Sequence, residues 1–162
     1  MAARSKAKLE FSCTASKSAA KKYSQWKEYA PLLKIASNEV MVAELPEIIK
    51  MKLGIVLLSD EELLEMNRNV LGHDFYTDIL TFEIERKGNA LEAELYFSLD
   101  RAQENALRYK VSLRNELARL AIHGMLHLAG YDDKTSAAKG KMRKMEKDFL
   151  DKVGAGFSLR AL

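Results

Sequence analysis

The stretch DILTFEIERKGNALEAELYFSLDRAQENA, residues 78–106, changes its hydrophobic period midway, and that change decides the fold class. From Asp78 to Glu85 apolar and polar residues alternate, which suits a strand with one buried face. Lys87-Gly88-Asn89 is a turn signal, and a second strand is expected around Glu94 to Phe97, paired with the first as a hairpin. From Ser98 the spacing lengthens to the helical period. Leu99, Ala102, Ala106 and Tyr109 are expected to line one helix, with Ser98 as its cap.

Working upstream, GIVLLS, residues 54–59, is a short apolar run that predicts a buried strand. Ser59 and Glu62 stand in capping-box relation at the start of a helix carrying Leu63, Leu64 and Met66. Asn67 to Tyr76 is expected to be irregular, with Asn69, Gly72 and Asp74 as loop markers. Ala19 to Val42 reads as helical, with Trp26, Ala30, Leu33 and Val40 as core positions and Pro31 kinking or splitting it. A short strand is expected near Leu9 to Cys13. Downstream, Ser112 caps a helix with Glu116 in its first turn and a stripe of Leu113, Leu117, Leu120 and Ala121. A last helix starts at Ser136, packs through Met142, Met145 and Phe149, and ends near Gly154. Strands early and helices late predict an α+β fold.

The composition fits one globular domain over 1–162: 48% of residues are hydrophobic and 30% charged, and no repeat or linker divides the chain. The net charge of +3 matters less than its distribution. Basic residues crowd the N-terminal arm through Lys27 and the segment Lys134 to Lys147, as solvated helix faces or as a phosphate-facing surface. A single cysteine, Cys13, excludes an internal disulfide and fits a reducing, cytoplasmic setting. No apolar run is long enough to span a bilayer, so no membrane partner is expected. The start MAARSKAKLEFSCTASKSAAKKY lacks the apolar segment of a secretory signal. Its basic, Ser/Ala-rich character allows an organellar transit peptide, against which Glu10 and the strand KLEFSCT argue.

The chemistry concentrates in HGMLHLAGYDD, residues 123–133, which holds two of the three histidines. Four apart on a helix, His123 and His127 present their imidazoles side by side. Gly130 stands where a helix end needs a left-handed residue, and the turn brings Asp132 or Asp133 toward the rings. Two imidazoles and a carboxylate suit a borderline metal such as zinc and leave a fourth position for water. The alternative is a pair of core histidines that merely hydrogen-bond. The spacing H-x-x-x-H-x-x-G-x-x-D repeats the offsets of the metzincin zinc signature. Those proteases carry Glu after the first histidine as general base, however, and here that position is Gly124.

HGMLHLAGYDD resembles the H-G-x-L-H-L-x-G-Y-D-H signature of the YbeY family of ribosomal RNA maturation endoribonucleases. MNRNVLGHDFYTDILTFEIE, from Met66, is similar to that family's Asn-led loop and T-D-[VI]-[LI]-[ST]-F segment. AELYFSLDRAQENA and KTSAAKGKMRKMEKDFL resemble the segments that follow, so the likeness runs from about Gly54 to Leu150. It implies a small mixed β-sheet packed with helices, with the metal site at the end of a helix in the C-terminal half. It also implies one metal ion per chain, usually zinc, and single-strand-directed cleavage of RNA.

Carried over residue by residue, His123 and His127 fall on the first two metal ligands and Asp133 on the third, where the familiar pattern has histidine. A carboxylate there adds negative charge, makes a bound water less acidic and admits other divalent metals. Many members carry an arginine where this chain has Leu71, which removes a cation that would stabilise a pentavalent phosphorane-like transition state. His73 is then the candidate catalytic residue, as phosphate contact or proton-transfer group, the alternative being an exposed loop histidine. Thr77 and Asp78 read as organisers of the strand entry. Asp132 reads as hydrogen-bond partner of a ligand histidine.

The expected function is therefore a metal-dependent endoribonuclease acting on ribosomal RNA precursors and with the ribosomal small subunit, in maturation and ribosome quality control. An assembly or RNA-binding factor with a structural metal and little nuclease activity is the alternative, and a metalloprotease a weaker third.

Overall fold

In the computed structural model, residues 6–154 are described. The domain limits expected at residues 1 and 162 lie outside them. The elements are β1 (Lys8–Ala15), α1 (Lys17–Lys22), a 3-10 turn (Trp26–Tyr29), α2 (Ala30–Glu44), β2 (Lys50–Leu58), α3 (Asp60–Leu71), β3 (Ile79–Lys87), β4 (Ala90–Ser98), α4 (Leu99–Tyr109), α5 (Leu113–Leu128) and α6 (Ser136–Gly154). The strands form one mixed sheet in the order β1-β2-β4-β3, with β1, β2 and β4 parallel and β3 antiparallel to β4. This is the expected α+β architecture.

The hairpin closes over Gly88 and Asn89, since Lys87 pairs with Ala90 and Gly88 supplies a φ of +59°. In β4 Leu91, Ala93, Leu95 and Phe97 are buried on one face, and Met51, Leu53, Ile55 and Leu57 of β2 extend that face. Helices α2, α5 and α6 cover it, and each such Leu or Ile stabilises the fold by about 1.5–3 kcal/mol. A smaller cluster on the opposite face joins Leu58, Leu63 and Leu80 beneath α3. Most of α5 is buried, because it lies between the sheet, α2 and α6. A histidine pair on this helix is therefore held by the core.

Several boundaries differ from expectation. The helix expected over Ala19–Val42 is split into α1, a 3-10 turn and α2, and Pro31 lies in the first turn of α2, where its missing N–H leaves no bond unmade. Strand β2 starts at Lys50, four residues before the apolar run, and β4 reaches back to Ala90. Helix α3 continues through Asn67 and Asn69 to Leu71 and ends on Gly72, at φ +68°. Asn67 is buried, and its amide donates to the Phe75 carbonyl, so this residue anchors the loop from inside the helix. Tyr109, expected on the apolar line of α4, is 61% exposed at the last position of that helix, which Lys110 ends at φ 56°. Burial pushes the Cys13 thiol up to about 11, which keeps it protonated and unreactive near neutral pH.

Candidate metal centre

Helix α5 ends in a turn that the sequence dictates locally. The Tyr131 N–H donates to the Leu126 carbonyl and the Gly130 N–H to the His127 carbonyl, with Gly130 at φ +99°. The reversal brings Asp133 back over the last turn of the helix. There His123 Nε2 and His127 Nε2 lie 3.0 Å apart, and Asp133 Oδ2 stands 3.7 Å from the first and 3.9 Å from the second. Bonds of about 2.1 Å in a tetrahedral site would set its ligand atoms roughly 3.4 Å apart, so these three atoms bracket that geometry. Gly130→Ala has open space around the new methyl but must hold a positive φ. We expect the transition temperature to fall by about 2–8 °C, from a backbone cost of about 1–2 kcal/mol, and metal affinity to fall with it; calorimetry with and without zinc checks both.

Each ring has a partner behind it. His127 hydrogen-bonds to the Tyr131 backbone, and burial, with the charge of His123, holds its pKa below the ordinary histidine value against the pull of Asp133. A depressed pKa keeps the ring neutral near pH 7, the form that ligates metal. Nδ1 of His123 faces Glu146 of α6, 3.5 Å from Oε1. Glu146 and Glu116 are buried at 4% and 1% exposure, and Arg119 reaches both: its Nη1 donates to Glu146 at 2.9 Å and its Nη2 to Glu116 at 2.6 Å. Burial works against the Arg119 charge, yet Glu116, Glu146 and Asp78 raise its pKa well above the ordinary value. Asn105 also donates to Asp78 and Glu116.

The rings open into a cleft of about 610 Å³, lined by Thr77, Asp78, Thr81, Glu83, Leu128 and Asp133 among others. Its far wall is β3, irregular between Glu83 and Glu85. Arg86 grips Glu83 at 2.7 Å and donates to the Leu128 carbonyl at 2.8 Å, which fixes the carboxyl end of α5 to the sheet. Neither Lys nor Arg lines this cleft among the described residues, whereas three carboxylates do. Such a surface disfavours phosphate, and a bound cation would offset the part of its charge that Arg86 and Arg119 leave unbalanced.

Of the residues predicted from sequence, His123, His127 and Asp133 come together, and their ligand atoms form a group that could hold a metal ion. Asp132 does not join them: it is exposed and accepts from the Lys134 N–H. His73 is exposed, stacks on Phe75 with ring centroids 5.2 Å apart, and is not among the residues lining the cleft. Leu71, at the end of α3, is 44% exposed. Glu83, Arg86, Arg119 and Glu146 had no local signal; only tertiary packing brings them to the site.

Comparison with known proteins accords with this geometry. The sequence profile described as Endoribonuclease YbeY matches residues 12–154. Curated relatives named Endoribonuclease YbeY include one from Cytophaga hutchinsonii, 43% identical over 96 residues, covering 59% of this chain and 67% of that protein. One from Chlorobium phaeovibrioides is 45% identical over 93 residues, 57% of this chain and 62% of that protein. A third, from Bacteroides thetaiotaomicron, is 39% identical over 99 residues, 61% and 72% of the two chains. The matched segments thus span roughly two thirds of these relatives. A solution structure of a Thermotoga maritima protein superposes with a TM-score of 0.58 at 24% identity, covering 93% of this chain and 91% of that one, and shares the fold. With the matched span enclosing both the helix-borne histidines and the returning aspartate, the chain belongs to the YbeY family of endoribonucleases.

Proposed function

We propose that this chain is a metal-dependent endoribonuclease that cuts single-stranded RNA in the maturation of small-subunit ribosomal RNA and in ribosome quality control, in the cytoplasm. His123, His127 and Asp133 hold one zinc ion per chain or another divalent metal. The observation that carries the reading is the convergence of these three ligand atoms in a cleft that is otherwise acidic. A bound divalent ion supplies Lewis acidity there, polarising a phosphoryl oxygen and lowering the pKa of an attacking hydroxyl.

The chain's own residues do the rest. The rings of His123 and His127 and the Asp133 carboxylate leave one side open to the cleft, the place offered to the scissile phosphate. Arg86 keeps the ligand helix and the β3 wall in register. Lys139, Lys141, Arg143, Lys144 and Lys147 are exposed along α6 and offer phosphate contacts away from the reacting centre.

Leu71 and the cation-free cleft favour a second reading, an RNA-binding assembly factor of the small subunit whose metal is structural. Incubating the native chain with single-stranded and structured RNA, with and without chelator, separates the two. We expect cleavage of single strands that stops with chelator and returns with zinc or manganese. Cleavage that persists after complete metal removal would overturn the proposal, and subunit binding without cleavage would favour the assembly factor. Product ends then name the nucleophile, because a 2′,3′-cyclic phosphate requires attack by the ribose hydroxyl.

A further inference from the structure

We propose that Glu146 is a positioning residue for the metal centre, its carboxylate holding His123 in the tautomer that turns Nε2 toward the ion. The inference rests on the reading of His123, His127 and Asp133 as ligands. Two buried polar atoms motivate it: His123 Nδ1 and Glu146 Oε2 each lack a hydrogen-bond partner, and the two groups approach within 3.5 Å at Nδ1 and Oε1. Few buried polar atoms in a folded core are left unpaired, and here the unpaired Nδ1 lies beside the carboxylate that carries the unpaired Oε2.

The charge balance points the same way. Glu146, Glu116 and Asp78 surround a single guanidinium, that of Arg119, which Glu116 already engages through both carboxylate oxygens. One negative charge would satisfy Arg119, so Glu146 is an acid beyond what this pairing needs. A buried carboxylate in excess is costly unless something cationic balances it. The His123 ring stands beside that carboxylate, and the group of ligand atoms that could hold a cation lies at its Nε2.

The rings complete the argument. His127 bonds to the Tyr131 backbone, which leaves its Nε2 facing His123. With Nδ1–H of His123 donated to Glu146, two Nε2 lone pairs meet 3.0 Å apart, an arrangement that is repulsive until a cation sits between them. The carboxylate behind the ring also fixes its orientation, so that the Nε2 lone pair is held toward the ion. Asp132 does not fill this role, since it is exposed and bonded to the Lys134 N–H. Through Arg119 the same carboxylate reaches Asp78, on the cleft wall, so one network sets both the ligand and the surface the substrate meets.

The test measures zinc affinity by competition with a chromophoric chelator for the native chain, E146Q, E146M and E116Q. We expect E146M to weaken zinc by about 10–100-fold, E146Q by less, and E116Q to leave it unchanged, because Glu116 shares Arg119 but does not face His123. In the zinc-loaded native protein the His123 Nδ1–H proton should be shifted downfield by the carboxylate, and this shift should shrink in E146Q. If E146M does not fold, E146Q, which keeps the shape and removes the charge, carries both readouts. Native zinc affinity in E146Q and E146M, an equal loss in E116Q, or an unmoved Nδ1–H signal would overturn the inference and leave the functional reading standing. A native chain that takes up no divalent metal would overturn both.

Discussion

Replacing His127 with alanine should abolish RNA cleavage while leaving a folded chain. On the proposed reading the ring supplies one of three ligand atoms, and it is 29% exposed, so its removal empties part of the cleft wall and little of the core. Two remaining ligands do not hold a divalent ion tightly at ordinary metal concentrations. Without the ion the acidic cleft repels the phosphate, and the several kcal/mol of charge stabilisation at the reacting oxygen is lost. About 4 kcal/mol of that kind corresponds to roughly a thousandfold in rate. We expect the rate of single-strand cleavage to fall at least that far, with zinc stoichiometry near zero and far-ultraviolet circular dichroism unchanged. Persistent cleavage at full rate by a variant shown to be metal-free would refute the metal mechanism.

What the sequence disclosed about this site follows from how local each signal is. His123, His127, Gly130 and Asp133 lie within 11 residues, and helix period plus a left-handed glycine determine their convergence without reference to the rest of the chain. The β3–β4 hairpin and the caps at Ser59, Ser98 and Ser112 were legible for the same reason, since each is closed by residues no more than a few positions apart. Glu146 was not, because it reaches His123 from another helix, 23 positions along the chain. On α6 it reads as one more charge in a basic, solvated segment. The placement of Asp132 failed on a similar count: two adjacent aspartates look equivalent in sequence, and only the backbone turn decides that one faces the rings and the other the Lys134 N–H.

Gly124 shows how packing reinterprets a residue first noticed for the chemistry it lacks. By comparison with zinc proteases, glycine here means an absent general base. In the structure a β-carbon at this position would stand 2.9 Å from Leu95 Cδ2 and 3.0 Å from Ile79 Cδ1, so α5 rests directly on the sheet at this point. Gly124→Glu, which would restore the protease pattern, therefore drives a carboxylate between α5 and the sheet. Overpacking costs about 1–3 kcal/mol, and an unpaired buried charge adds several more. Against a native stability of about 5–15 kcal/mol the sum removes most of the margin. We expect this variant to be largely unfolded or insoluble, and without peptidase activity. Gly124→Ala is the control: the atoms nearest its methyl are the terminal methyls of Leu95 and Ile79, which can give way, and the gain in helix propensity of about 1 kcal/mol offsets part of the strain. Its denaturation midpoint should stay close to that of the native chain. A Gly124→Glu protein with native stability would mean that α5 can lift from the sheet, and the rigid seat argued for the two histidines would be lost with it.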